Sequence, residues 1–66
     1  MEDFVALNDG SLVNVYYISY IKPVVYEGKI KYFRVYTSDG GYYDISLEDY
    51  NAIYNHLFML KKDVVE

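Results

Sequence analysis

The sequence predicts an α+β domain in which an antiparallel sheet of about four short strands, roughly residues 3–8, 12–22, 29–37 and 41–46, is packed by one C-terminal helix over 47–62. Two observations carry the sheet: apolar runs that alternate with period two, and the Asp-Gly and Glu-Gly pairs that punctuate them. A third carries the helix, a capping serine followed by a long stretch with apolar residues three and four apart.

Residues 4–7 form a short apolar run that stops at Asn8-Asp9-Gly10-Ser11, where the Asp-Gly pair tolerates the positive φ angles of a tight hairpin. Leu12-Val13-Asn14-Val15 then alternates, with Val13 and Val15 on one face. Beyond it the apolar spacing lengthens to three, between Ile18 and Ile21, which predicts one helical turn or kink within residues 16–20 before the chain extends again. Pro23 has no amide donor, so residues 21–26 belong at a sheet edge or a strand end. Glu27-Gly28 is a second turn. Over residues 30–37, Lys31, Phe33, Val35 and Thr37 share one face while Ile30, Tyr32, Arg34 and Tyr36 share the other. Rings on both sides imply that both faces are at least partly covered. Ser38-Asp39-Gly40-Gly41 is the strongest hairpin signal, and residues 42–45 are its return strand, with Tyr43 and Ile45 facing inward.

Ser46 is placed to cap the helix, with Asp49 at the third helical position and Ile45 able to staple onto Tyr50. At 3.6 residues per turn, Tyr50, Ile53, Tyr54, Leu57, Leu60 and Lys61 form the stripe expected to pack on the sheet. Glu48, Asn51, Asn55 and Lys62 are then left in water, Ala52 and Met59 lie away from the stripe, and Phe58 lies at its margin. Lys61 and Lys62 complement the helix dipole, and residues 63–66 are expected to fray.

A chain of 66 residues has room for one small core, so residues 1–66 are read as a single domain. It holds no cysteine, hence no disulfide and no thiolate metal site, which favours a cytoplasmic setting. Met1-Glu2-Asp3 is acidic where a signal peptide would be basic, and no apolar run reaches membrane-spanning length, so no membrane association is expected. The net charge of −4 argues against direct binding of nucleic acid through its phosphates. The ten tyrosines outnumber the six lysines and arginines, and a ring that buries its body while wetting its hydroxyl suits protein interfaces.

Catalytic chemistry finds no constellation here. His56 is the only histidine and is expected on a polar, solvated flank of the helix. Ser11, Ser19, Ser38 and Ser46 lie in or near turns, kinks or caps, where their hydroxyls serve the local backbone. None of the glycines opens a helix as a phosphate loop does. No enzymatic activity, metal or cofactor is therefore expected. Lys29, Lys31 and Arg34 interleave with Tyr32 and Phe33, a pattern on which single-stranded bases can stack, but alternation divides the charges between two faces. Such charges commonly protect an edge strand from pairing.

Asp39, Asp44, Glu48 and Asp49 all lie between positions 39 and 49, interleaved with Tyr42, Tyr43 and Tyr50. Asp39 suits a turn, and Glu48 and Asp49 suit a helix N-terminus, which accounts for much of the cluster without a partner. The sharper expectation takes Asp39, Tyr42, Asp44, Glu48, Asp49 and Tyr50 as an acidic, aromatic surface that imitates nucleic acid. Such a surface would occupy a basic groove on a host protein, with charge for steering and rings as anchors.

Two resemblances extend this reading. The stretch Phe4-Val-Ala-Leu-Asn-Asp-Gly-Ser-Leu-Val-Asn-Val, followed by Ile18-Ser-Tyr-Ile21, resembles the opening of short FlbD-like proteins and of small phage or prophage proteins of similar layout. The later hairpin and capped helix continue that pattern across most of the chain. The shorter stretch Tyr42-Tyr43-Asp44, with Leu47-Glu48-Asp49-Tyr50 and Tyr54, is similar to the paired tyrosines and helix of small acidic phage inhibitors of uracil-DNA glycosylase, which act by DNA mimicry. That similarity implies that Tyr50 is the aromatic that enters an enzyme's pocket. Together they imply a phage-type inhibitor of a nucleic-acid enzyme or defence complex, an anti-CRISPR role included. The FlbD-like resemblance also allows a structural or regulatory homo-oligomer, such as a homodimer paired through tyrosine-rich faces. A module that sequesters a nucleotide or other planar ligand on its tyrosines is a further alternative.

Overall fold

In the computed structural model the backbone is described for residues 3–64 and the side chains for residues 3–59. The architecture is α+β, with five short antiparallel strands in two sheets followed by one C-terminal helix. Strands β1 (Phe4–Ala6) and β2 (Leu12–Asn14) form a small hairpin. A 3-10 turn over Val15–Tyr17 leads to the second sheet, β3 (Ile18–Tyr26), β4 (Lys29–Thr37) and β5 (Tyr42–Ile45), in that spatial order. Helix α1 (Leu47–Val64) follows β5 directly.

The single sheet expected from the sequence is thus two, because the stretch read as one strand over 12–22 is broken by the helical turn. The Asn14 side chain accepts from the Tyr16 amide at 3.0 Å and caps that turn, so the chain changes direction between β2 and β3. The first strand is also shorter than 3–8. Leu7 already belongs to the loop, where its carbonyl accepts from Gly10 and its amide donates to the Ser11 carbonyl.

The loops at 7–11 and 37–41 are built alike. In each, the glycine amide returns to the carbonyl three residues back (Gly10 to Leu7, 3.0 Å; Gly40 to Thr37, 3.1 Å). In each, the aspartate accepts from the amide two residues on (Asp9 from Ser11, 2.9 Å; Asp39 from Gly41, 3.1 Å). Gly40 has φ +95°, the left-handed conformation that three-residue hairpins require after a tight turn. The β3–β4 hairpin is tighter, with Tyr26 opposite Lys29 and both Glu27 (φ 52°) and Gly28 (φ 80°) left-handed. Glutamate is poorly suited to that angle. Glu27→Asn is expected to raise stability by about 1 kcal/mol, read as a higher midpoint in urea with an unchanged slope.

The ladder phase explains Pro23. Thr37 donates its amide to the Gly41 carbonyl, so alternation makes Val35–Tyr43 and Phe33–Ile45 the hydrogen-bonded pairs between β4 and β5. The even-numbered residues of β4 therefore turn their backbone groups toward β3. Pro23, opposite Phe33, faces away from the ladder on the edge strand, and its missing N–H removes no sheet bond.

The core lies between the β1–β2 hairpin, the inner face of the three-stranded sheet and the first half of α1. Val5, Val15, Phe33, Val35, Ile45 and Ile53 form one buried cluster, with Val35 and Ile53 fully enclosed. Tyr50 lies flat on Phe33, with ring centroids 3.8 Å apart and planes 6° from parallel. Ser46 caps the helix as its position predicts: its Oγ accepts from the Asp49 amide at 3.1 Å.

The covered face of the helix is rotated from the expected stripe. Ala52 and His56 are half-buried, whereas Tyr54 and Leu57 are exposed. The cause is local. Asn8 donates its amide to Asp49 Oδ1 (3.0 Å) and its side-chain Nδ2 to Glu48 Oε1 (2.6 Å), pinning the first helical turn to the β1–β2 loop. That docking turns Ala52, Ile53 and His56 inward. The expected solvated histidine is therefore corrected: His56 Nε2 is enclosed, with no hydrogen-bond partner among the described residues. His56→Leu is expected to stabilise the fold by about 1 kcal/mol by removing an unsatisfied polar atom, seen as a rise in Tm. The side-chain assignments of Leu60, Lys61 and Lys62 lie outside the described residues, as does Glu66; the helix backbone itself continues to Val64. No helix among the described residues is long and apolar enough to cross a membrane.

Candidate protein-binding cleft

The six residues singled out from the sequence do not meet on one surface. Asp39 is confined to the β4–β5 turn, where it accepts from the Thr37 hydroxyl and the Gly41 amide. These hydrogen bonds hold its carboxyl below the usual carboxylate range. Glu48 and Asp49 are engaged by Asn8. Tyr50 is half-buried against Phe33 and so is not a free aromatic anchor. Tyr42 and Asp44 lie with Arg34 on the opposite, open face of the sheet, and of the six only Asp44 and Asp49 line a common cleft.

On that open face Arg34 is the organising residue. Its Nε donates to Asp44 Oδ1 at 2.8 Å and its second nitrogen to Oδ2 at 3.3 Å, while the guanidinium lies 4.6 Å from the centre of the Tyr42 ring. The bidentate hydrogen bond to Arg34 holds the Asp44 carboxyl below its ordinary range and raises the guanidinium further. Tyr36 stacks on Tyr20 at 4.5 Å and meets Tyr42 at 5.9 Å. A row of three rings with one ion pair therefore faces outward, and Tyr20 and Tyr42 are more than half exposed.

Between the β1–β2 hairpin and β5 runs a cleft of about 460 Å³. Phe4, Leu12 and Val13 line it from the hairpin, and Tyr43 and Ile45 from β5. Asp9, Asp44 and Asp49 are among its lining residues, and no lysine, arginine or histidine is. Asp9 accepts from both the Ser11 hydroxyl (2.6 Å) and the Ser11 amide, and these bonds lower its pKa. A smaller cleft of about 330 Å³ separates α1 from β3, lined by Val15, Ile18, Ile21, Tyr50, Tyr54 and Leu57. Among the described residues no group of three acidic, histidine or cysteine side chains is placed to hold a metal ion.

The lowered carboxylates set a pH dependence. A group whose folded pKa is depressed contributes stability above its unfolded value and loses it as pH falls through the folded one. The charges of Asp9 and Asp44 therefore persist to lower pH than those of ordinary carboxylates, which protonate at about pH 4. Attraction of a cationic partner is expected to be constant from pH 8 to about pH 5 and to fall only in stronger acid. Isothermal titration across that range checks it.

Asp9 and Arg34 escaped the sequence reading as site residues. Arg34–Asp44 was legible, since both lie five residues from Asp39 at the middle of the loop and so pair across the hairpin. Asp9 carried no signal beyond its turn, because only tertiary packing brings the first loop beside the helix start. No protein-family model, curated protein or solved structure matches this chain.

Proposed function

We propose that this protein is a small non-enzymatic binding module that occupies a basic, nucleic-acid-binding surface of another protein. In a phage setting it would act as an inhibitor of a host enzyme or defence complex. The observation that supports this is the cleft beside β5, with apolar walls, three aspartates and no cation among its lining residues. Apolar walls supply the contact area and the carboxylates steer an oppositely charged surface into place. Relative to the surface expected from sequence, Asp9 joins the contact and Tyr50 leaves it, because Tyr50 is committed to Phe33.

Capture of a partner by the tagged protein, at low and at high salt and with duplex DNA as competitor, tests the reading. A nucleic-acid-processing protein that is retained at low salt and displaced by both salt and DNA supports it. Retention indifferent to both contradicts it.

A second reading rests on the open row of Tyr20, Tyr36 and Tyr42, which a second copy could cover to form a homodimer of the FlbD-like kind. Packing of tyrosine faces depends little on salt. Under this reading, analytical ultracentrifugation gives the same dimer at low and high ionic strength, and Tyr20→Ser disperses it to monomer.

A further inference from the structure

We infer that β5 is a strand-acceptor edge, and that the partner enters the cleft as an extended segment carrying lysine or arginine beside apolar residues. The inference rests on the proposed cleft and adds the mode by which it is filled. Its basis is the phase of the sheet. Because Val35–Tyr43 and Phe33–Ile45 are the hydrogen-bonded pairs, the backbone N–H and C=O groups of Tyr42 and Asp44 point away from β4. No backbone hydrogen bond among the described residues engages them from a loop or cap, and β5 ends its sheet.

The two edges of this sheet differ. On β3, Pro23 removes an outward donor and register shifts at Ile18–Tyr20 and Val24–Val25 distort the edge, features that protect a strand from pairing. The β5 edge carries neither feature; it has no proline, its register with β4 is regular, and it borders the cleft. An added strand hydrogen-bonds to such an edge through its own backbone and sends alternate side chains to either side. Here one set would meet Phe4, Leu12 and Tyr43, and the Asp9 and Asp49 carboxylates favour cations.

Charge also selects the occupant. A second copy that paired its β5 with this one would bring two acidic clefts together, and like charges placed opposite one another across strands repel. A cationic chain meets the same edge with attraction.

The probe is an acetylated, amidated peptide of alternating valine and lysine, six residues long, compared with the same peptide N-methylated on alternate residues. Methylation keeps charge and side chains but removes the donors a strand must present. Amide shifts in the 15N-labelled full chain report the site. The expected result is saturable shifts at Tyr42 and Asp44, with binding at least tenfold weaker for the methylated peptide. Equal binding of both peptides overturns strand addition while leaving an acidic docking cleft intact. Shifts confined to the Tyr20–Tyr36 face, or no binding of either peptide at low salt, overturn the inference and remove support from the cleft itself.

Discussion

Ile53→Ala is expected to leave the protein largely unfolded at 37 °C. Ile53 is fully buried and is the helix residue in the cluster formed with Phe33, Val35 and Ile45, so its truncation removes apolar contact where the helix meets both sheets. Replacement of a buried isoleucine by alanine costs about 2–5 kcal/mol. A core in a domain this small supplies only about 3–5 kcal/mol, with no disulfide to compensate. Circular dichroism and urea titration check the result. The contrasting variant is Leu57→Ala, on the stripe that the sequence favoured; Leu57 is exposed, and its loss is expected to cost less than about 1 kcal/mol.

The second large effect concerns binding. Asp44→Lys converts the Arg34–Asp44 pair, 2.8 Å between its closest atoms, into two adjacent cations at the edge of the cleft. Repulsion of a cationic partner by misplaced like charge costs several kcal/mol, so affinity is expected to fall roughly a hundredfold. The fold should survive, since the pair is solvent-exposed and such pairs contribute at most about 1 kcal/mol. Asp44→Asn, which frees one cation without adding another, is expected to show an intermediate loss. Unchanged affinity in Asp44→Lys would exclude the β5 edge from the interface.

The elements read most directly from the sequence are those fixed by local chemistry. Asp-Gly pairs at 9–10 and 39–40 gave two hairpins because the aspartate and the left-handed glycine act within five residues. Ser46 gave the helix start for the same reason. Alternation sorted β4 into two faces, but only the structure shows that the Phe33–Val35 face is the buried one. What failed were inferences that needed to know which neighbour each element meets. The rotation of α1 is set by Asn8, forty residues away in sequence, and helical periodicity is blind to that contact. Ala52 and His56 consequently turned inward and Tyr54 outward.

The site divides along the same line. The candidate acidic surface assumed that residues close in sequence share a face. Instead, alternation along β5 placed Tyr42 and Asp44 on the open face, and stacking on Phe33 committed Tyr50 to the interior. The cleft arises from the meeting of two sheets, one of which the sequence did not separate from the other. Its aspartates come from three different elements of the chain: Asp9 from the first loop, Asp44 from β5 and Asp49 from the helix.

Hydrogen exchange of the full-length protein, alone and bound to the partner recovered at low salt, tests the acidic cleft most directly as the binding surface. The account predicts that binding slows exchange at the amides of Tyr42 and Asp44 and across the facing hairpin residues Leu12 and Val13, and leaves the helix beyond Tyr54 unchanged. Protection confined to Tyr20 and Tyr36, or to the α1–β3 cleft around Tyr54 and Leu57, would contradict it and move the interface to the opposite face of the sheet or to the helix.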